Sequence, residues 1–276
     1  PTSGNIYVNG IDVHKNPEKI KKSISVMTQE TVVEPDLTAR ENLQLFADLY
    51  ELDKATIPSK IDSALEEVDL KNFSDVPAGT FSGGMQRRLG LTKSMLNDPQ
   101  LLILDEPTTG LDVQNRVNMW NQIERLNSER GMTLILTTQY LEEADALCDR
   151  IAIIDHGTIK AIGTPVELKR MAAEGLILEM IASKEDAAKA AELLKNVFKL
   201  EAKLDEQKIN AVVSKENIYQ ILKDISLQFS KEKIELYSIS IHLPTLDDVF
   251  IKLTGSGLRD STGENVSRMD LVRARR

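Results

Sequence analysis

Two adjacent carboxylates are the strongest candidates for chemistry in this sequence. Asp105 and Glu106 directly follow an apolar run, residues 101–104, which is bounded by Pro99 and Pro107. Such a run predicts a strand buried on both faces of a parallel sheet, and open sheets of this kind bind ligands at the carboxyl ends of their strands. Because neighbouring side chains on a strand diverge, one acid could hold Mg²⁺ through water while the other polarises an attacking water. A strand that simply ends in polar residues fits the same pattern.

A serine–glycine turn before a predicted helix is the second candidate. Ser82 is a typical N-cap, Gly83 and Gly84 leave the first backbone N–H groups uncovered, and Gln86 follows one turn later. An uncovered helix N-terminus attracts anions such as phosphate. A capped helix after a loop explains the segment equally well when it is taken alone.

Three further polar residues stand at the ends of predicted elements. Gln29 follows a strand predicted at residues 23–27, and Gln139 follows one predicted at residues 133–138. Asp112 closes a glycine-containing turn after the acidic pair. Taken singly, each fits an ordinary surface loop.

The elements that must position these residues alternate between strand and helix, which predicts an α/β domain with a mostly parallel sheet. A helical stretch, about residues 31–99, interrupts that domain. Residues 171–254 follow the order β-α-β-β-α-β, the ferredoxin-like pattern of an α+β domain. We therefore expect an α/β domain over residues 1–170, a smaller α+β domain over 171–254, and a flexible tail over 255–276.

Composition excludes several classes of protein. The chain carries 34 Lys+Arg against 43 Asp+Glu, and its net charge of −9 argues against nucleic acid as a partner. Its single cysteine excludes an internal disulfide and a cysteine-based zinc site. The apolar runs are far shorter than the roughly 20 residues that span a bilayer. The first residue is Pro1, so we expect the sequence to begin within a longer protein.

The order of the motifs is more specific than any one of them. Over residues 1–170 the sequence resembles the ABC-transporter ATPase family. The motifs that carry the resemblance are, in order, SGGMQ before a helix, LLILDEP one helix later, GLD, and TTQYLEEAD. FSGGMQRRL and the later PTLDDVF resemble the group that includes the daunorubicin-resistance ATPases of drug, antibiotic and lipid exporters. The resemblance implies a P-loop NTPase fold whose cofactors are ATP and Mg²⁺.

The resemblance implies a role for each residue at the strand ends. Asp105 would position Mg²⁺, with Gln29 sensing both the metal and the water. Glu106 would orient the water that attacks the γ-phosphate. Gln139 stands where most of the family has a switch histidine, and its amide can donate a hydrogen bond but cannot gain a proton near neutral pH.

The resemblance also implies that two ATPase domains close head to tail around ATP. Ser82, Gly83, Gly84 and Gln86 would form the signature that contacts ATP held by the partner domain, and Asp112 would lie at the dimer seam. The implied partners are a second ATPase domain, in a homodimer, and a separate membrane permease that docks on the helical stretch. The protein would be peripheral on the cytoplasmic face of the cell membrane, with no nucleic-acid partner.

The sequence departs from the family pattern in two further ways, of which the first removes a polar contact but leaves the Ser-Gly-Gly face intact. Met85 replaces the usual glutamine of the signature, and no GxxxxGK[ST] run occurs in the 276 residues. That run supplies the phosphate cradle of the family. We therefore expect the N-terminal region to be truncated and this chain alone to be inactive. A non-catalytic or regulatory ABC subunit, and a soluble ABC ATPase outside transport, remain alternatives.

Overall fold

The computed structural model describes residues 2–30 and 33–254, and these form two compact units that divide after Leu147. The elements of the first unit, in chain order, are β1 (Tyr7–Val8), β2 (Ile11–Asp12), α1 (Pro17–Lys21), β3 (Ile24–Met27), α2 (Ala39–Leu49), α3 (Ile57–Glu67), α4 (Gly83–Met95), β4 (Leu101–Asp105), α5 (Val113–Ser128), β5 (Thr133–Thr137) and α6 (Leu141–Leu147).

A three-stranded parallel sheet in the order β3-β4-β5 positions the candidate residues of this unit. Its strands are in register, so that Met27, Leu104 and Leu136 lie side by side. The first two belong to a buried cluster with side chains of α4 and α5, including Leu91 and Ile123. The predicted parallel sheet is confirmed.

The face of the sheet away from α4 and α5 is more exposed than predicted. Leu102 and Leu104 are fully buried, but Val26 and Ile135 on the other face are 51% and 49% exposed. The prediction that the run at residues 101–104 is buried on both faces is therefore wrong for the described residues. The physical reason is that the buried cluster with α4 and α5 lies on one face only, so alternate side chains of β4 stay partly accessible.

The helices α2 and α3 and one face of α4 form a second core with its own buried residues, among them Leu43, Ile61, Leu65 and Leu89. A capping box begins α2, because the Thr38 hydroxyl accepts from the backbone N–H of Glu41 while the Glu41 carboxylate accepts from that of Thr38. This helical core lies within the stretch predicted at residues 31–99.

The second unit contains β6 (Ile151–Asp155), β7 (Thr158–Gly163), α7 (Pro165–Ala172), β8 (Leu176–Ala182), α8 (Ala187–Asn196), β9 (Ala202–Asp205), β10 (Lys208–Val213), α9 (Ile218–Lys231), β11 (Leu236–His242) and α10 (Leu246–Thr254). An antiparallel hairpin joins β6 to β7. From β8 to β11 the order is β-α-β-β-α-β, and the antiparallel sheet runs β11-β8-β10-β9. The predicted ferredoxin-like arrangement is confirmed.

The division after Leu147 reflects contacts within each unit, whereas the predicted boundary at residue 170 rests on the change in the strand and helix pattern there, where the family resemblance also ends. The boundary at 170 stays a prediction. The tail expected at residues 255–276 lies outside the described residues. Within the described part of the chain, no helix combines the length and apolarity needed to cross a membrane.

Candidate active site

The two acids at the end of β4 turn in different directions. The Asp105 carboxylate accepts a hydrogen bond from the Thr137 hydroxyl on β5. The Glu106 backbone N–H donates to the Thr137 carbonyl over 3.0 Å, and Glu106 itself has a left-handed φ of 46°. That conformation costs a non-glycine residue about 1 kcal/mol or more. It bends the chain sharply at the point where the strand ends.

The bend places the Glu106 side chain against the end of β3. Gln29 Nε2 donates to Glu106 Oε2 over 3.1 Å, and the Thr109 hydroxyl donates to the same oxygen over 2.9 Å. The structure thus brings together three predicted site residues, Gln29, Asp105 and Glu106, which come from two neighbouring parallel strands. Gln139 follows β5 and is half-buried, and within the described ranges no hydrogen bond joins it to either acid.

The serine–glycine turn opens α4. Ser82 is the N-cap, and its hydroxyl accepts from the Met85 backbone N–H over 3.3 Å. Ser82 and Gly83 are exposed, and a Cβ added to Gly83 would meet no atom within 4 Å. Gly84 is buried, and a Cβ there would lie 2.7 Å from Asn115 Oδ1. Only the second glycine is therefore required by packing within the chain.

Asp112 caps the helix that packs beside this turn. Its Oδ1 accepts from the Asn115 backbone N–H over 2.9 Å, and its Oδ2 accepts from Asn115 Nδ2 over 2.6 Å. The backbone N–H of Asn115, and then its side-chain amide, hold the pKa of Asp112 below its ordinary value. Asn115 thus contacts both Asp112 and the space beside Gly84, so the two predicted motifs share one side chain.

The side chain of Gln86 contacts the backbone of its own chain, whereas the resemblance implies a contact with nucleotide. Its Nε2 donates over 3.2 Å to the carbonyl of Ala78, at the start of the short turn before α4. The side chain is half-buried and holds that turn in place. A role of Gln86 in contacting nucleotide stays a prediction.

Sequence reasoning missed Arg87, which joins the two strand ends. Its side chain is buried, with 4% of the residue exposed. Nε donates to the Pro107 carbonyl over 2.6 Å, and the two terminal nitrogens donate to the Gln29 and Glu106 carbonyls. Longer contacts of 3.4 Å reach the carbonyls of Thr28 and Asp105. A signal was present, because Arg87 shares a helix face with Gly84 and Leu91, both buried.

Burial lowers the pKa of Arg87 from its ordinary value, while the charge of Glu143, followed by those of Asp105 and Glu106, opposes the shift. Arginine stays protonated even so. A buried positive charge therefore lies directly behind the two acids.

The residues at the ends of β3 and β4 and at the start of α4 could supply some, but not all, of the contacts that Mg²⁺ and ATP need. The described residues include no group of three or more Asp, Glu, His or Cys side chains placed to hold a metal ion. Mg²⁺ typically takes one or two carboxylates together with waters and phosphate oxygens, which Asp105 and the neighbouring Gln29 amide suit. The uncovered N-terminus of α4 suits a phosphate. The glycine-rich cradle with its lysine is not among the 276 residues.

Comparison with known proteins defines the class first. A family model described as ABC transporter matches residues 1–109. A solved ATP-binding subunit of an ABC transporter aligns with a TM-score of 0.53 and 29% identity, covering 62% of this chain and 71% of that one. The predicted P-loop NTPase fold of the ABC ATPase type is confirmed.

The chain belongs to the ABC transporter family and is one of its ATP-binding proteins. The daunorubicin resistance ATP-binding protein DrrA2 of Streptomyces coeruleorubidus is 35% identical over 252 residues, which are 91% of this chain and 78% of that protein. The linearmycin resistance ATP-binding protein LnrL of Bacillus subtilis is 34% identical over 258 residues, 94% and 83% of the two chains. The resemblance to the daunorubicin-resistance group is thereby confirmed.

Proposed function

We propose that this chain is the ATP-binding and ATP-hydrolysing subunit of an exporter for a drug, antibiotic or lipid. The observation that carries the proposal is the contact between Gln29 and Glu106 beside Asp105, where two parallel strands end. It supplies a carboxylate for Mg²⁺ and a second, separately oriented carboxylate for water. The names of the related resistance proteins support the export of toxic compounds.

The proposed chemistry is hydrolysis of the γ-phosphate, which depends on positioning and charge more than on covalent catalysis. Bound Mg²⁺ would neutralise charge on the phosphates. Asp105 and Gln29 would hold the hydrated ion, and Glu106 would orient the attacking water and accept its proton. Gln139 would donate a hydrogen bond to the γ-phosphate in place of the family's histidine.

The proposed assembly is a homodimer of ATPase domains on a separate membrane permease. Ser82, Gly83 and Gly84 would contact ATP held by the other domain, with Gln86 behind them and Asp112 at the seam. The exposure of Ser82 and Gly83 supports this, because a phosphate from another molecule can reach them. The subunit would lie on the cytoplasmic face of the membrane, with its helical stretch toward the permease.

We further propose that these 276 residues by themselves bind ATP too weakly to hydrolyse it, because they include no phosphate cradle. Isothermal titration of the purified chain with MgATP is expected to give a Kd weaker than about 1 mM. Tight binding with steady release of phosphate would contradict this proposal. A non-catalytic subunit, which only completes its partner's site with the signature turn, would also bind ATP poorly when alone.

The substitution Glu106→Gln separates these two functions. The test uses the transporter complex purified from its native membranes. The tag and the substitution are placed in the native gene, so that the protein keeps any phosphate cradle that it has in the cell. If Glu106 orients the water, phosphate release in the complex is expected to fall about 100-fold or more, with little change in folding. The exposed Glu129→Gln is the matched control and is expected to leave the rate unchanged. Equal rates for Glu106→Gln and the control would overturn the catalytic proposal.

A further inference from the structure

Arg87 occupies a position that the family motifs leave without a function. Its guanidinium donates both to the carbonyl of Gln29 and to those of Glu106 and Pro107. These carbonyls belong to two chain segments far apart in sequence. A planar fork with five N–H donors can span both segments, whereas a lysine ammonium has three donors on a single atom.

The charge of Arg87 has a buried counterpart on another element. Glu143 lies in α6 and is fully buried. Its Oε1 accepts from Trp120 Nε1 over 2.9 Å, and its Oε2 has no hydrogen-bond donor among the described residues. Electrostatic attraction between Glu143 and Arg87 offsets part of the cost of burying both charges.

We propose that Arg87 is a positioning residue for ATP hydrolysis. It fixes the end of β3 against the end of β4 and thereby sets the Gln29 amide at the Glu106 carboxylate, while Glu143 balances its charge from α6. The hydrogen bonds described above join Arg87 to backbone carbonyls at these two ends, so it acts through the residues that it holds. The link to hydrolysis rests on the proposed function, but the positioning itself does not.

Arg87→Lys tests this positioning, with Arg88→Lys as the matched control. Arg88 is the next residue of α4, and it donates over 2.7 Å to the Val68 carbonyl, away from the strand ends. The primary measurement is the NMR resonance of the Gln29 side-chain amide in the purified full chain, assigned with Gln29→Leu. The second is hydrogen exchange of the Glu106 and Thr109 backbone amides, which donate to Thr137 and Glu106.

Arg87→Lys is expected to move the Gln29 amide resonance toward that of free glutamine and to speed exchange at both amides about tenfold or more. Arg88→Lys is expected to change neither, even if it lowers the melting temperature equally. An unchanged Gln29 resonance in folded Arg87→Lys would overturn the proposal, and so would equal shifts in both variants.

Glu143→Gln covers the case in which Arg87→Lys does not fold. It keeps an acceptor for Trp120 but removes the charge that faces Arg87. We expect the same changes at Gln29 and Glu106, smaller in size. No change there in the folded variant would overturn the proposed charge balance and, with Arg87→Lys unfolded, the positioning role as well.

The transporter complex supplies a readout linked to activity. Arg87→Lys is expected to lower kcat about tenfold and to leave KM for ATP unchanged, because Arg87 orients the hydrolytic groups without touching phosphate. A rise in KM with unchanged kcat would contradict this role. If Glu106→Gln leaves hydrolysis intact, the proposed function fails, whereas the NMR and exchange results still decide whether Arg87 positions Gln29.

Discussion

The acidic strand ends and the serine–glycine turn lie in one unit of the chain, yet their contacts differ in kind. Glu106 is held by Gln29 and Thr109 through its side chain and by Arg87 through its carbonyl. Ser82, in contrast, is exposed, and its hydroxyl accepts from the Met85 backbone N–H at the start of its own helix. The first region is organised by contacts within the chain, whereas the second leaves the N-terminus of α4 exposed, which is where we propose that a second molecule binds.

Removing Arg87 is expected to have the largest effect, because it breaks the internally organised region. Arg87→Met takes one donor from each of five backbone carbonyls, two of them contacted at 3.4 Å, and leaves Glu143 without its counter-charge. The free energy of unfolding is therefore expected to fall by about 3 kcal/mol. Urea denaturation measures this. Arg88→Met, which loses one contact to a carbonyl, is expected to cost about 1 kcal/mol. Equal losses of unfolding free energy in Arg87→Met and Arg88→Met would contradict the larger structural role assigned to Arg87.

The two glycines of the turn provide the second test. Gly84→Ala places a methyl group against Asn115, whose amide is held by Asp112, so we expect a loss of about 2 kcal/mol of stability. Gly83→Ala meets open space and is expected to change stability by less than about 0.5 kcal/mol. Asn115→Ala makes room, so in combination with Gly84→Ala it should cost less than the sum of the single changes. A fully additive pair would show that Asn115 is not the obstacle.

The smallest expected effect is a pH dependence at Asp112. Its carboxylate has a lowered pKa in the folded chain, so the stabilisation is present above the unfolded value of about 3.9 and is lost as the pH falls through the folded value. Between pH 5 and pH 3, the melting temperature of the original chain should therefore fall more than that of Asp112→Asn. Parallel melting curves for both chains would show that the hydrogen bonds from Asn115 do not depend on the charge.

The parallel sheet and the placement of Asp105, Glu106 and Gln29 at strand ends could be predicted from sequence, because an apolar run followed by a polar residue is a local signal. The contacts of Arg87 could not be predicted, because its partners are backbone carbonyls that are brought together by tertiary packing. The open face of β4 was mispredicted for a related reason. The apolar residues 101–104 could pack on both faces of a sheet. The half-exposed side chains of Val26 and Ile135 show that the described residues cover only one of those faces.

The chain contains a single tryptophan, Trp120, whose indole N–H is bonded to buried Glu143. Indole emission depends on polarity and on nearby charge, so all tryptophan fluorescence of this chain originates at the junction of α5 and α6. Gln139 lies just before α6. Any event that displaces this helix, such as the proposed nucleotide-driven closure or the proposed docking on a permease, should change the wavelength or lifetime of that emission. The fluorescence of Trp120 can therefore report on the position of α6 without an attached dye.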